Sequence, residues 1–327
     1  MEPLLFEPIF IEKIWGAANL ARVLGKSLPP GKRIGESFEV SRRPGEESVV
    51  ARGPEKGRTL REIIERDPVA LLGREVQDRH ALRFPLLLKF IDANDTLSVQ
   101  VHPSDRDVRR FGETDTGKDE SWYVVEARPG TRIVKGLRPG TTSADFRVLL
   151  AEGRLQDCLR SVDVHAGEVI HLPAGTVHAI GAGLVLVELQ RNSNVTYRVF
   201  DWNRTGPDGR RRPLHVERAI EVIDWEQQHL PDKVASVVLE EAPVLHRRLV
   251  ETPYYSLESY SAAVPFVVPR TRDSFRILIM ISGCASLRGD SMEVPCSVGD
   301  SWLLPGALDA LSVIPAQATT VLLAAPR

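Results

Sequence analysis

The chain has 327 residues, which is enough for two domains at about 150 residues per domain. Apolar residues make up 43% and charged residues 26%, and these values exclude a largely disordered, collagen-like or coiled-coil chain. The 42 basic and 44 acidic residues give a net charge of −2, so no overall positive field favours nucleic acid or an anionic membrane. We therefore expect a small-molecule partner.

Neither export nor membrane insertion is predicted. The three cysteines, Cys158, Cys284 and Cys296, are an odd number without CxxC spacing, so we expect no disulfide framework and no cysteine zinc site. The first residues lack a basic segment followed by a long apolar run, and apolar stretches such as Ile277–Ile281 are far shorter than a membrane helix. These features predict a cytoplasmic protein, and they predict no particular oligomeric state.

Most of the chain is predicted to form short strands separated by turns that contain Gly and Pro. In chain order, the predicted strands are Ser37–Ser41, Leu86–Ile91, Leu97–His102, Ser121–Glu126, Gly167–Leu172, Leu184–Gln190, Tyr197–Phe200, Ser274–Ile281 and Ser301–Leu304. Capping signals and apolar periodicity predict helices at Thr59–Leu72, Asp105–Phe111, Ser143–Glu152 and Val216–Val222.

Many short strands at nearly regular spacing favour antiparallel sandwiches or barrels over β-α-β units. Neither a GxGxxG motif nor a P-loop occurs, so no nucleotide-binding fold is predicted. The composition changes around Asp232–Pro243, and a second strand-rich block follows. We predict a mainly β protein with a first domain of residues 1–235, which carries a few helices, and a second domain of residues 236–327.

Two segments combine residue types that bind metals. In LSVQVHP at Leu97–Pro103, the alternation of a strand places Ser98, Gln100 and His102 on one face, with side chains about 7 Å apart. Without other information, this pattern is equally typical of a solvent-facing strand. In GEVIHLPAGTVH at Gly167–His178, glycine and proline at fixed places predict a strand, a sharp corner and a histidine that returns toward the barrel interior.

The second segment resembles a motif of the cupin superfamily, whose small β-barrels hold a metal. Together with five other segments, it also resembles the type I phosphomannose isomerases in their short bacterial form, over roughly residues 8–225. The segments that carry this resemblance are IWGAANL at Ile14–Leu20, GESFEVS at Gly35–Ser41, LSVQVHP, GKDESWYVVEA at Gly117–Ala127, LPAGTVHAIGAG at Leu172–Gly183 and RPLHVERAIEVID at Arg212–Asp224. The resemblance implies two cupin-type β-barrel (jelly-roll) domains.

The resemblance also implies one metal ion, held by four ligands: Gln100, His102, Glu120 and His178. Two imidazoles, a carboxylate and an amide oxygen suit zinc, and manganese, iron or cobalt are compatible with the same ligand types. The other six histidines lack ligand spacing and are interpreted as structural or surface residues: His80, His165, His171, His215, His229 and His246.

Three further residues match functional positions of the family. Lys118 stands in the Lys-x-Glu pattern before Glu120, where a nearby cation favours a lysine that acts as a base. Glu188 interrupts an apolar run, and a carboxylate there requires a partner or a function. The fixed charge of Arg198 suits a phosphate or a developing enediolate oxygen. Which of Lys118 and Glu188 is the base stays open.

The sequence departs from the family at Asn194, where an aspartate usually precedes the arginine by four residues. An amide can orient a sugar hydroxyl but cannot exchange protons, so a carboxylate role in ring opening is in doubt. The C-terminal block repeats the glycine-proline spacing at Gly299 and Pro305 without a histidine in the place of His178. We expect a degenerate second barrel that carries no metal ligands.

The resemblance implies a metal-dependent aldose–ketose isomerase that interconverts mannose 6-phosphate and fructose 6-phosphate through a cis-enediol(ate). One alternative is another metal cupin, such as a cupin-type glucose 6-phosphate isomerase or a dioxygenase. Oxygenase cupins favour a His-x-His first motif, whereas this chain has Gln-x-His. The other alternative is a non-catalytic sugar-binding protein with two cupin domains, for which Asn194 is the supporting feature.

Overall fold

The structure is a computed structural model that describes residues 1–206, 209–226, 230–269, 271, 273–290 and 292–327. The described residues are mainly β, and the α-helices among them lie in the first 222 residues, so the predicted fold class is confirmed. The strands form open antiparallel sheets that face each other in two pairs. Among the described residues, no helix has the length and apolar character needed to cross a membrane.

The first pair of sheets is built from the N-terminal block. In spatial order, the six-stranded sheet contains Val169–Leu172, Glu120–Ala127, Leu184–Arg191, Leu86–Ala93, Ile34–Val40 and Ile9–Ala17. The five-stranded sheet contains Leu159–Asp163, Arg132–Leu137, His178–Ala179, Val99–Val101 and Tyr197–Phe200. A separate hairpin pairs Arg42–Arg43 with Glu46–Glu47.

The second pair of sheets is built mostly from the C-terminal block. The seven-stranded sheet contains Leu4–Leu5, Ser301–Leu304, Arg276–Ser282, Thr319–Pro326, Tyr255–Ala262, Leu245–Glu251 and Val237–Glu240. The four-stranded sheet contains Phe266–Val268, Leu311–Pro315, Cys284–Arg288 and Glu293–Ser297. Leu4–Leu5 therefore joins the N-terminus to the C-terminal block, and the domain boundary near residue 235 stays a prediction.

The four large sheets form four stacked layers, and an apolar core lies between each pair of neighbouring layers. Alternation along each strand explains this stacking, because successive side chains point to opposite faces. On the six-stranded sheet, Ile91 and Leu186 pack toward the five-stranded sheet, whereas Phe90 and Val187 pack toward the seven-stranded sheet. Lys89 and Glu188 belong to the inner face of the first pair, beside Ile91 and Leu186, and this alternation directs them into the site.

Seven α-helices are present among the described residues: Asn19–Leu24, Leu60–Arg66, Pro68–Leu72, Arg74–His80, Asp105–Phe111, Ser143–Ala151 and Val216–Val222. A 3-10 turn spans Leu155–Asp157. The helix predicted at Thr59–Leu72 is broken at Asp67, because Pro68 disfavours helical dihedrals in the residue before it. The Asp67 side chain then caps the second helix by accepting from the Ala70 N–H.

Candidate functional site

A sharp turn places His178 beside the predicted first ligand segment. Gly175 has a φ of +84°, and a Cβ there would collide with Asp224, so only glycine fits the turn. The Gly175 N–H donates to the carbonyl of His102 at 2.8 Å. On the five-stranded sheet, His178 then pairs directly with Gln100 in the antiparallel register. The two motifs identified in the sequence therefore meet on neighbouring strands.

Glu120 completes this cluster from the facing sheet, where it is the first residue of its strand. Its Oε2 lies 3.3 Å from Nε2 of His102, and its Oε1 lies 3.3 Å from Nε2 of His178. The Gln100 side-chain amide is 3.2 Å from the same atom of His178. The exposed fractions of His102, Glu120 and His178 are 2%, 0% and 1%, so this cluster is removed from bulk water.

Both imidazoles are oriented by main-chain carbonyls. Nδ1 of His102 lies 2.9 Å from the carbonyl of Val195, and Nδ1 of His178 lies 2.9 Å from that of Thr176. These hydrogen bonds require Nδ1 to carry the proton, so the Nε2 lone pairs point into the cluster. Among the described residues, Nε2 of His102 and Oε1 of Glu120 have no hydrogen-bond partner. Converging buried lone pairs of this kind fit a bound cation.

Burial and neighbouring charges favour the protonation states in which these three residues can bind a metal. Burial, with the nearby Lys118 ammonium, lowers the pKa of His102 to about 3, and burial also lowers the pKa of His178. Burial alone would raise the pKa of Glu120, but Lys118 and His102 outweigh it and hold that pKa well below its ordinary value. Neutral imidazoles and an ionised carboxylate are the states that bind a metal.

These residues therefore fit a divalent metal ion. His102, Glu120 and His178 place their ligand atoms within 4.8 Å of one another. A half-turn of the Gln100 amide would direct its oxygen, rather than its nitrogen, toward the same point. Two nitrogens and two oxygens form a ligand set that matches zinc and other borderline divalent metals.

A row of charged residues extends from the cluster of His102, Glu120 and His178. The Lys118 ammonium lies 2.7 Å from Oε2 of Glu120 and 3.9 Å from Oε1 of Glu188. Lys89 lies directly opposite Glu188 on the neighbouring strand, and its ammonium is 3.2 Å from the same oxygen. On the other side, the indole N–H of Trp122 donates to Oε2 of Glu188 at 3.2 Å. Glu188 is thus buried with partners for both oxygens.

Lys89 and Glu36 are site residues that the sequence interpretation did not single out. Burial would lower the pKa of Lys89, but Glu188 and Glu36 outweigh it and raise that pKa. Likewise, Lys89 and Lys13 overcome the effect of burial on Glu36 and lower its pKa. A lysine inside the apolar strand Leu86–Ala93 was the signal available in the sequence, because a buried charge requires a partner.

A cavity of about 320 Å³ opens over these charges. It is lined by residues from both facing sheets and from the loops, among them Gln100, Lys118, Glu188, Asn194, Arg198 and Arg212. The guanidinium of Arg198 donates to the Ser98 hydroxyl at 3.2 Å and to the carbonyl of Pro213 at 3.1 Å. A small polar molecule in this cavity would contact the charged row on one side and Arg198 on the other.

The structure brings the seven predicted site residues to one region, with Gln100, Lys118, Glu188 and Arg198 lining the cavity and the other three beside it. His215 also lines the cavity, and its Nδ1 accepts from the main-chain N–H of Arg198 at 3.2 Å, which the sequence did not indicate. His229 lies outside the described residues. Asn194 is exposed at the cavity edge, and its main-chain N–H donates to Asp115.

The chain is similar to known proteins over almost its whole length. Residues 4–130 match the family described as phosphomannose isomerase type I, catalytic domain. The chain is 34% identical over 307 residues to mannose-6-phosphate isomerase ManA of Bacillus subtilis, covering 94% of each. It is 32% identical over 320 residues to mannose-6-phosphate isomerase of Streptococcus mutans, covering 95% of this chain and 98% of the relative. The crystal structure of the Bacillus subtilis mannose 6-phosphate isomerase superposes with a TM-score of 0.89 at 28% identity, over 99% of both chains.

Proposed function

The chain belongs to the type I phosphomannose isomerase family, and from this premise we infer that it interconverts mannose 6-phosphate and fructose 6-phosphate. It is therefore an aldose–ketose isomerase. The observation that carries this inference is that a buried His102, Glu120 and His178 cluster and the Lys118 and Glu188 pair adjoin the same cavity. A metal-ligand set beside acid–base groups is what moving a carbonyl between neighbouring carbons requires.

We propose zinc as the divalent metal, held by Gln100, His102, Glu120 and His178. When bound, zinc would act as a Lewis acid that stabilises negative charge on the sugar oxygens. The two carbonyl hydrogen bonds at Nδ1 hold the imidazoles in the ligand tautomer, and burial keeps them neutral. The chain's own residues thereby prepare the ligand set before the metal arrives.

The isomerisation requires one proton to leave C2 and one to return at C1, through a cis-enediol(ate). We propose that Lys118 and Glu188 carry this proton, because both line the cavity and lie 3.9 Å apart. Lys89 and Trp122 hold Glu188 from either side, which fixes the position of its carboxylate. Between the two steps, the protein must also move a proton between the hydroxyl oxygens of the enediol.

Arg198 would bind the negative charge of the substrate. Its guanidinium is oriented by Ser98 and Pro213, and Arg212 lines the same cavity. Arg212 is in turn held by Asp201, to which its Nε donates at 2.7 Å. A guanidinium presents several donors in a fixed plane, which suits a phosphate group.

Removal of the metal tests the proposed function. Protein treated with a chelator should lose isomerase activity and recover it when one equivalent of zinc per chain is added. A His178→Asn variant should neither retain zinc nor recover activity, whereas His165→Asn, on an exposed loop, should behave as the wild type. Full activity in chelated protein that contains no metal by elemental analysis would rule out the metal assignment.

We also propose a domain organisation and a cellular location for the protein. Residues 1–235 would form the metal-bearing domain, and residues 236–327 a degenerate cupin domain. A reducing cytoplasm is supported by the three cysteines, which are unpaired in the structure, with Cys284 exposed. The alternatives of a cupin-type glucose 6-phosphate isomerase and a non-catalytic sugar-binding protein are not favoured by the comparisons.

A further inference from the structure

A buried polar cluster lies on the opposite face of the strand that carries Glu120. Because side chains alternate along a strand, Asp119 and Ser121 point away from the metal cluster when Glu120 points toward it. The Ser121 hydroxyl lies 3.1 Å from Nδ1 of His171, which pairs with Ser121 across the sheet. Nε2 of His171 lies 3.7 Å from Oδ2 of Asp119. The two neighbours of the metal ligand thus share one polar group.

Tyr255 reaches this cluster from the C-terminal block. Its hydroxyl donates to Oδ1 of Asp119 at 2.8 Å and lies 3.0 Å from the Ser121 hydroxyl. Tyr255 has an exposed fraction of 0%, and it begins a strand of the seven-stranded sheet. The turn before it is fixed by Thr252, whose hydroxyl accepts from the main-chain N–H of Tyr255 at 3.1 Å. One hydroxyl therefore bridges both neighbours of Glu120 from a rigid support.

A second contact between the blocks holds the same segment. The guanidinium of Arg191 lies over the ring of Tyr254 at 4.0 Å and pairs with Asp105 at 2.9 Å. The main-chain N–H of Arg191 donates to the carbonyl of Asp119 at 3.0 Å, and Asp105 accepts from the N–H of Gly117 at 2.9 Å. The residues on either side of Lys118 are therefore fixed at the main chain.

We propose that Tyr255 is a positioning residue of the N-terminal site, which sets the place of Glu120 through Asp119 and Ser121. This inference rests on the proposed function, because it assigns the C-terminal block a task in that site. The C-terminal block then does more than pack against the first block. Its Tyr255 hydroxyl fixes the segment that carries Glu120 and Lys118. Residues that hydrogen-bond directly to metal ligands commonly alter metal affinity 10- to 100-fold when they are removed, and Tyr255 contacts the neighbours of Glu120, so we expect an effect at the lower end of this range.

The Tyr255→Phe variant tests this proposal, because it keeps the ring in its core and removes only the hydroxyl. Zinc affinity, measured by competition with a coloured chelator, should fall about tenfold. At saturating zinc, kcat should fall while KM stays close to the wild-type value. The matched control is Tyr260→Phe, in the same strand, whose hydroxyl donates to Glu258 at 3.3 Å. It should keep the wild-type zinc affinity. Equal zinc affinities in the wild type, Tyr255→Phe and Tyr260→Phe would overturn the proposal.

A double-mutant cycle separates a specific effect of the Tyr255 hydroxyl on zinc binding from general destabilisation of the protein. Asp119→Ala should weaken zinc binding, and Tyr255→Phe should cause a smaller loss when added to Asp119→Ala than when added to the wild type, because only its contact with Ser121 then remains. Fully additive losses in zinc affinity would contradict an effect of Tyr255 that passes through Asp119. The zinc measurement requires no turnover. A protein that binds zinc in this pattern but does not isomerise sugars would therefore contradict the proposed function and leave the role of Tyr255 supported.

Discussion

The Lys118 ammonium lies 2.7 Å from Oε2 of Glu120, so the buried carboxylate that we propose as a metal ligand also pairs with a candidate proton carrier. The two residues are two positions apart, one just before the strand and one at its start. In the proposed reaction, this arrangement would place Lys118 beside the sugar oxygens on which negative charge develops. Because Glu120 has two oxygens, its carboxylate can face His102 and His178 and pair with Lys118 at the same time.

Lys118→Ala should reduce kcat by at least 100-fold, since a positioned acid–base group commonly contributes 10²–10⁴-fold. The proposed ligands His102, Glu120 and His178 remain in this variant, so it should still bind one zinc per chain by elemental analysis. Lys32→Ala is the control, because Lys32 forms an exposed ion pair with Glu12 and should leave turnover unchanged. Near-normal turnover in Lys118→Ala would remove this lysine from the mechanism.

Glu188→Gln should also lose at least 100-fold in kcat, and it should lower the free energy of unfolding by about 3 kcal/mol. The second effect follows because Lys89 would lose the nearer of its two carboxylate partners, at 3.2 Å, in a buried environment. Denaturant unfolding and initial rates measure the two losses separately.

Adding Lys89→Met to Glu188→Gln distinguishes chemistry from folding. Removing the Lys89 ammonium, which Glu188→Gln leaves with only Glu36 at 3.9 Å, should restore much of the stability, whereas turnover should stay low. If the double variant regained activity together with stability, the role of Glu188 would be structural.

The placement of most predicted site residues follows from short local motifs. Alternation in Val99–Val101 and the turn at Gly175 bring Gln100 and His178 to neighbouring strands, and each depends on only a few neighbouring residues. The family resemblance then supplied Glu120, which comes from a strand of the facing sheet. Local patterns and a collinear resemblance were therefore sufficient to predict residues that the fold brings together, and their role as metal ligands stays a prediction.

The residues that were missed depend on long-range pairing. Lys89 meets Glu188 only because two strands about 100 residues apart align in register, which no local pattern specifies. Similarly, Leu4–Leu5 pairs with the strand Ser301–Leu304 at the other end of the chain. The break at Asp67 is different, because it follows from a local feature, the steric effect of Pro68 on the residue before it.

Asp201→Asn should raise KM and lower stability, because Asp201 is buried and orients Arg212 and Arg204. Loss of charged hydrogen bonds of this kind costs about 2 kcal/mol. Burial would raise the pKa of Asp201, but the two arginines outweigh it and lower that pKa. The ionised form is therefore the stabilising one. The stability difference between wild type and variant should be constant above about pH 5 and shrink below about pH 4.

Denaturant unfolding at several pH values measures this difference. Asp163→Asn is the control, because Asp163 forms an exposed ion pair with Arg132 and should show almost no change. A stability difference that grows toward acid would show that the carboxylate of Asp201 is not held in its ionised form by these arginines.

The assay that most directly tests the central claim follows fructose 6-phosphate formation from mannose 6-phosphate by the zinc-loaded protein, with glucose 6-phosphate as the control substrate. We predict sustained turnover of mannose 6-phosphate, loss of that turnover in Glu120→Gln, and no product from glucose 6-phosphate. The account would be contradicted if protein carrying one zinc per chain formed no fructose 6-phosphate from mannose 6-phosphate.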